Sequence, residues 1–235
     1  MRINKFLAGA GFGSRRSSEK LVEEGRVKCN GIIVDNLGFS IDENKDKVTV
    51  DDKPVVYQSE YQYIMLHKPK GVITSMKDEH GRKTVVDILP KEYKHLKPVG
   101  RLDYDSEGLL IMTNDGDLAY VLTHPSHEIT KTYVVKVEGD VKESQLAVMR
   151  AGVVVDGVRL SKCKVKILEK VNNDTRLEVV ISEGKNRQVR KMFDAVGLTV
   201  IFLKRTQIGD LRLGGVDRGK FRLLNAQEVL YLKSL

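Results

Sequence analysis

The most constraining stretch of this 235-residue chain is Leu109-Leu110-Ile111-Met112-Thr113, an unbroken apolar run that predicts a buried strand. Asn114-Asp115-Gly116 ends it as a turn, and Gly100 to Gly108 leads into it as a loop carrying Asp103, Asp105 and Glu107. A carboxylate at the lip of a buried strand is aimed at whatever space opens there. In extended geometry all three acidic side chains point the same way, and they repel unless exposed or paired. The residues alone leave two readings: a site on a rigid scaffold, or an acidic turn that caps a strand.

Further strands are expected at 63–67, 72–75, 132–137, 164–168, 177–181 and 200–204, and helices at 117–122, 142–150, 186–196 and 226–232. They intermix without a regular beta-alpha rhythm, which predicts an α+β fold around a mixed sheet. Polar Gln58-Ser59-Glu60-Tyr61 marks a boundary, giving a small domain over 1–59 and a larger one over 60–235.

The small domain has its own pattern. Ile3, Phe6, Leu7 and Ala10 make the apolar stripe of one short helix. Ser14 caps a second that runs to about Glu24, and Gly25 stops it. Asn30-Gly31 predicts a tight turn between Val27-Lys28-Cys29 and Ile32-Ile33-Val34, and Asp51-Asp52 separates another hairpin.

Charge narrows the partner. The formal net charge is +8, concentrated in two blocks: residues 1–31 hold seven basic against three acidic groups, and residues 182–222 hold ten against four. Residues 32–60 are net acidic, with three basic against seven. Two basic blocks suit a long, folded polyanion. No apolar run approaches the ~20 residues of a membrane span and no secretory signal is visible. Cys29 and Cys163 stand alone, so neither a disulfide framework nor a cysteine zinc site is expected, and the expected compartment is the cytoplasm. Phosphate-loop, dinucleotide, calcium-loop and zinc-deaminase signatures are missing, and His124-Pro125-Ser126-His127 reads as a surface loop. No metal and no cofactor are expected.

Two helices and a bent sheet, with Gly13-Ser14-Arg15-Arg16 and Gly25-Arg26-Val27-Lys28-Cys29-Asn30-Gly31, resemble the alpha-L RNA-binding module. The resemblance implies that Arg2, Lys5, Arg15, Arg16, Lys20 and Lys28 contact RNA phosphates. Free amides at the start of the second helix favour the same ligand.

A second block lies at Ile181-Ser182-Glu183-Gly184-Lys185-Asn186-Arg187-Gln188-Val189-Arg190-Lys191-Met192-Phe193, where basic residues crowd the start of an apolar helical stripe. A strand end delivering Lys185 to a helix start could hold Asp103 ionised in a pocket. Leu66-His67-Lys68-Pro69-Lys70-Gly71, the Gly100–Gly116 string, Lys131-Thr132-Tyr133 and Glu183–Phe193, in this order, resemble the bacterial ribosomal RNA pseudouridine synthases of the RsuA/RluB type, which carry the same N-terminal module.

The resemblance implies an isomerase that converts one uridine to pseudouridine in ribosomal RNA, the large subunit favoured over the small. It implies Asp103 as the essential aspartate, Tyr133 as the residue that stacks on the flipped base, and Lys185 as the cation paired with Asp103. Arg101 is implied to fill the gap left by the flipped nucleotide, and Val189 to pack under the uracil. Arg187 and Arg190 complete the substrate-binding candidates. The expected partner is ribosomal RNA or a pre-ribosomal particle, with no membrane, no small-molecule cofactor and a monomeric chain. The alternatives are a non-catalytic RNA-binding ribosome assembly factor on the same fold, and a magnesium nuclease using the acidic loop.

Overall fold

The computed structural model describes residues 1–56 and 60–235 and divides into two compact units, Met1–Tyr61 and Gln62–Leu235. The boundary expected at 58–61 includes Gln58 and Ser59, which lie outside the described residues.

The first unit holds α1 (Ile3–Gly9), α2 (Arg15–Glu23), β1 (Val27–Cys29), β2 (Ile32–Ile33), β3 (Val48–Val50) and β4 (Lys53–Pro54), the strands ordered β2-β1-β3-β4. Ile3, Phe6 and Leu7 are buried as the stripe requires, against Val22, Val27 and Val50. Ser14 and Ser17 cap α2 reciprocally: Ser14 Oγ accepts from Ser17 N at 3.1 Å, and Ser17 Oγ accepts from Ser14 N at 2.7 Å. At the turn between β1 and β2, Asn30 and Gly31 both take positive φ, which suits a two-residue hairpin.

The second unit runs β5 (Tyr63–Lys68), β6 (Lys97–Pro98), β7 (Glu107–Thr113), α3 (Gly116–Thr123), β8 (Lys131–Glu138), α4 (Glu143–Ala151), β9 (Val154–Val155), β10 (Val158–Arg159), β11 (Lys164–Val171), β12 (Asp174–Ile181), α5 (Gln188–Asp194), β13 (Val200–Ile208), β14 (Leu211–Arg212), β15 (Phe221–Leu223) and α6 (Ala226–Lys233). Its large sheet is ordered β11-β12-β8-β13-β7-β5-β15. The β7–β13 pair is parallel and the other pairs along this path are antiparallel, so the sheet is mixed, as expected. Every residue of β5 and β7 is buried, because one core packs on each face of the sheet there. Farther out, β12 alternates buried and less buried positions.

Two expectations need correction. Residues 72–75 form no strand; they make one isolated bridge, Ile73 to Thr84. Thr74 explains this: its hydroxyl donates to Leu102 O at 2.7 Å and accepts from Leu102 N at 3.2 Å, so a side chain takes the place of a ladder. The helix expected over 186–196 starts only at Gln188, because Arg187 is left-handed at φ 50°.

Candidate active site

Site geometry starts from the turn between β6 and β7. Ser106 N donates to Asp103 O at 3.1 Å, which folds residues 103–106 into a turn rather than the extended strand lip expected from the alternation. The three carboxylates therefore diverge. Asp105 turns to Arg187 and Arg190, and Glu107 is buried beside Arg218, with Nε 3.0 Å away. Asp103 lines the cleft, with no side-chain hydrogen bond or ion pair among the described residues.

The backbone of this turn is clamped at each of five successive carbonyls. Leu102 O accepts from Thr74 at 2.7 Å, and Tyr104 O accepts from Gly71 N at 2.8 Å. Asp103 O and Ser106 O accept from Lys68 Nζ at 3.0 and 2.8 Å, and Asp105 O accepts from Arg190 Nη2 at 3.0 Å. A turn held at every carbonyl fixes the Cα–Cβ vector of Asp103 before any substrate arrives, which is how a site avoids reorganisation during reaction.

Lys68 ends β5 fully buried, and its third bond goes to Pro69 O at 3.0 Å. Burial pushes its ammonium down to about 8, against the pull of Asp103, Asp105 and Glu107. Sequence reasoning assigned it no role, although it stands where an apolar strand ends in a lysine. Asp105 shows the opposite balance. Burial raises its carboxyl, but the Arg187 hydrogen bond and the charges of Arg190 and Arg187 bring it below the ordinary value.

A cleft of about 460 Å³ opens beside the turn. It brings together Arg101, Asp103, Tyr133, Lys185, Arg187 and Val189, all expected from the sequence, with Lys131 and Arg205, which were not. Tyr133 comes from β8 and is nine-tenths buried in the core, so only part of its ring faces the opening. Val189 packs into the same core from α5.

Three sequence expectations change here. Lys185 does not pair with Asp103: its ammonium lies 3.5 Å from Glu183 Oε2. The loop explains the switch, since Gln188 Nε2 and Ser161 Oγ also donate to Glu183 and hold that carboxylate next to Lys185. Burial raises the Glu183 carboxyl, and the Ser161 bonds with the Lys185 charge bring it below its usual range. Arg190 is buried and does not line the cleft; its guanidinium is committed to Asp105 and to Val200 O. In the first unit, Arg2, Arg15, Arg16 and Lys20 are exposed and Lys5 is half-buried, whereas Lys28 is tied to Asp52 at 2.6 Å.

The class defined by this fold is that of RNA-modifying isomerases. Residues 62–195 match the family model described as RNA pseudouridylate synthase, and residues 1–46 match the S4 domain. The chain belongs to the RNA pseudouridine synthases, in the RsuA/RluB-type branch that carries an N-terminal S4 domain. It is 41% identical to ribosomal large subunit pseudouridine synthase B of Bacillus subtilis (strain 168), over all of this chain and 96% of that protein. It is also 41% identical to an uncharacterized RNA pseudouridine synthase of Aquifex aeolicus (strain VF5), over 99% of this chain and 93% of the relative. A crystal structure of a pseudouridylate synthase superposes with a TM-score of 0.72 at 32% identity, covering 99% of both chains.

Proposed function

We propose that this chain converts a uridine of large-subunit ribosomal RNA to pseudouridine. The observation that carries the choice of substrate is the full-length 41% identity to a ribosomal large subunit synthase. Exposed Arg2, Arg15, Arg16 and Lys20 suit a polyanion held by the S4 domain.

In this reading the target nucleotide leaves its stack and enters the cleft, at a cost of about a few kcal/mol. The Tyr133 ring offsets part of that, since base–aromatic stacking returns roughly 1–3 kcal/mol. Asp103 is the reacting carboxylate. It lies half-buried in the cleft on a clamped turn, with its oxygens uncommitted. Val189 supports the uracil from below. Arg101, Lys185 and Arg187 stand around the opening, where cations meet the flanking phosphates, and Arg190 acts by positioning Asp105.

The test is pseudouridine mapping in ribosomal RNA from cells with and without the gene. One large-subunit uridine should lose its modification in the deletion strain and regain it with the wild-type gene but not with Asp103→Asn, whose RNA affinity stays near wild type. A small-subunit site, or modification restored by Asp103→Asn, overturns this assignment. The non-catalytic assembly-factor reading predicts an unchanged modification map.

A further inference from the structure

We propose that Arg205, outside the acidic loop and the 183–193 block, binds the uracil oxygens and takes up the negative charge that the ring gains during isomerisation. The proposal rests on the assignment of the cleft to uridine isomerisation. Arg205 lies on β13, paired with Tyr133 of β8 on one side and with Gly108 of β7 on the other. It is 5% exposed and lines the cleft. Its Nε donates to Leu109 O at 2.8 Å, which fixes the plane of the guanidinium. Nη2 is buried with no acceptor, and the group has no ion pair among the described residues.

The other buried cations of the site differ from Arg205 in having acceptors or a counter-charge within the chain, although Arg190 Nε makes only an ion-pair contact with Asp105 and no hydrogen bond among the described residues. Lys68 has three carbonyls, and Arg190 has two carbonyls and a carboxylate. A buried guanidinium without a counter-charge is costly, so an acceptor from outside the chain fits its surroundings. That acceptor is the base rather than a phosphate. In a flipped nucleotide the base penetrates furthest while the backbone stays outside, and Arg205 is a buried lining residue of the cleft, in register with Tyr133 on the neighbouring strand. Phosphates meet the exposed cations at the opening.

The chemistry balances. The C1′–N1 bond breaks, a C1′–C5 bond forms, the proton on C5 is lost and N1 gains one. Whether the bond breaks with its electron pair left on the detached ring, or a nucleophile first adds to the ring, charge accumulates on a uracil oxygen. A fixed donor fork at that position stabilises the charged species more than the neutral base.

The test uses full-length protein and total RNA from cells lacking the gene, so that it does not depend on which RNA carries the target. Arg205→Met should lower the single-turnover rate of pseudouridine formation by about 10²–10³-fold, with unchanged RNA affinity and a melting curve like that of wild type. Arg205→Ala should be equally slow and recover with added guanidinium ion, which Arg205→Met, having filled the space, should not. If Arg205→Met does not fold, Arg205→Lys decides, because a point charge lacks the fork: a slower rate at unchanged affinity supports the proposal. An unchanged rate in a folded variant, or a rate that falls only in step with RNA affinity, overturns it. Pseudouridine appearing outside ribosomal RNA would instead overturn the substrate assignment and leave the Arg205 rates readable.

Discussion

Lys68 divides its three hydrogen bonds among Pro69 O, Asp103 O and Ser106 O, so it shapes the site without facing the cleft. Its folded pKa of about 8 lies below the ~10.4 of an unfolded lysine. Between those values the unfolded chain binds more protons, and this group's contribution to stability rises with pH. The neutral amine has only two hydrogens for three carbonyls, so activity should fall as pH climbs through about 8 while this group causes no loss of stability. In Lys68→Met the alkaline limb should vanish from the pH–rate profile. Each carbonyl left unpaired should cost about 1–3 kcal/mol by denaturant unfolding. Asp105 titrates the other way. Its folded carboxyl lies below the ordinary value, so its contribution is full above about pH 4 and is lost as pH falls through the folded value. Asp105→Asn should flatten that acid limb at a cost of about 1 kcal/mol, since the pair is part-exposed. The placement of Asp103 at a cleft was legible because it sits in a long ordered string. The pairing of Lys185 was not, because Glu183, two residues away, captures it through a loop conformation that no spacing rule encodes.

Strands β5, β7, β8, β12 and β13 were legible from apolar runs, and α2 from Ser14 and Gly25, because those signals are local. The left-handed Arg187 and the side-chain clasp that replaces a strand at 72–75 depend on partners far along the chain: Asp105 for one, Leu102 for the other. Gly108 is a further element-scale constraint. Its φ is +119°, and a Cβ there would lie 2.1 Å from Arg205 O, where β7 meets β13 in parallel. Gly108→Ala should therefore combine backbone strain with overpacking and cost about 3–5 kcal/mol in urea unfolding. Ser14→Ala removes one half of a reciprocal cap and should cost about 1 kcal/mol. The contrast separates a strand junction that holds the sheet together from a helix end that water can partly satisfy.

Across the whole molecule, the net charge of +8 concentrates in two stretches, residues 1–31 and 182–222. Structure divides those cations by whether an acid already holds them. Arg26 is tied to Asp51 and Glu24, Lys28 to Asp52, Lys191 to Asp156 and Arg222 to Glu228. Arg15 and Arg16, by contrast, are exposed on the first turn of α2, beside the free amides of its N-terminus. Counterion release links each phosphate contact to a fixed increment in the salt dependence of binding. Replacing Arg15 and Arg16 with alanine should weaken RNA binding and reduce the slope of log affinity against log salt by about 1.4–1.8, the range for two contacts on single- or double-stranded nucleic acid. Replacing Arg26 and Lys28 should change that slope far less, because those charges are held within the domain. Binding titrations at several salt concentrations measure both slopes. Equal slopes for the two double variants would show that the intramolecular pairs open on RNA, and that net charge rather than free charge sets the affinity.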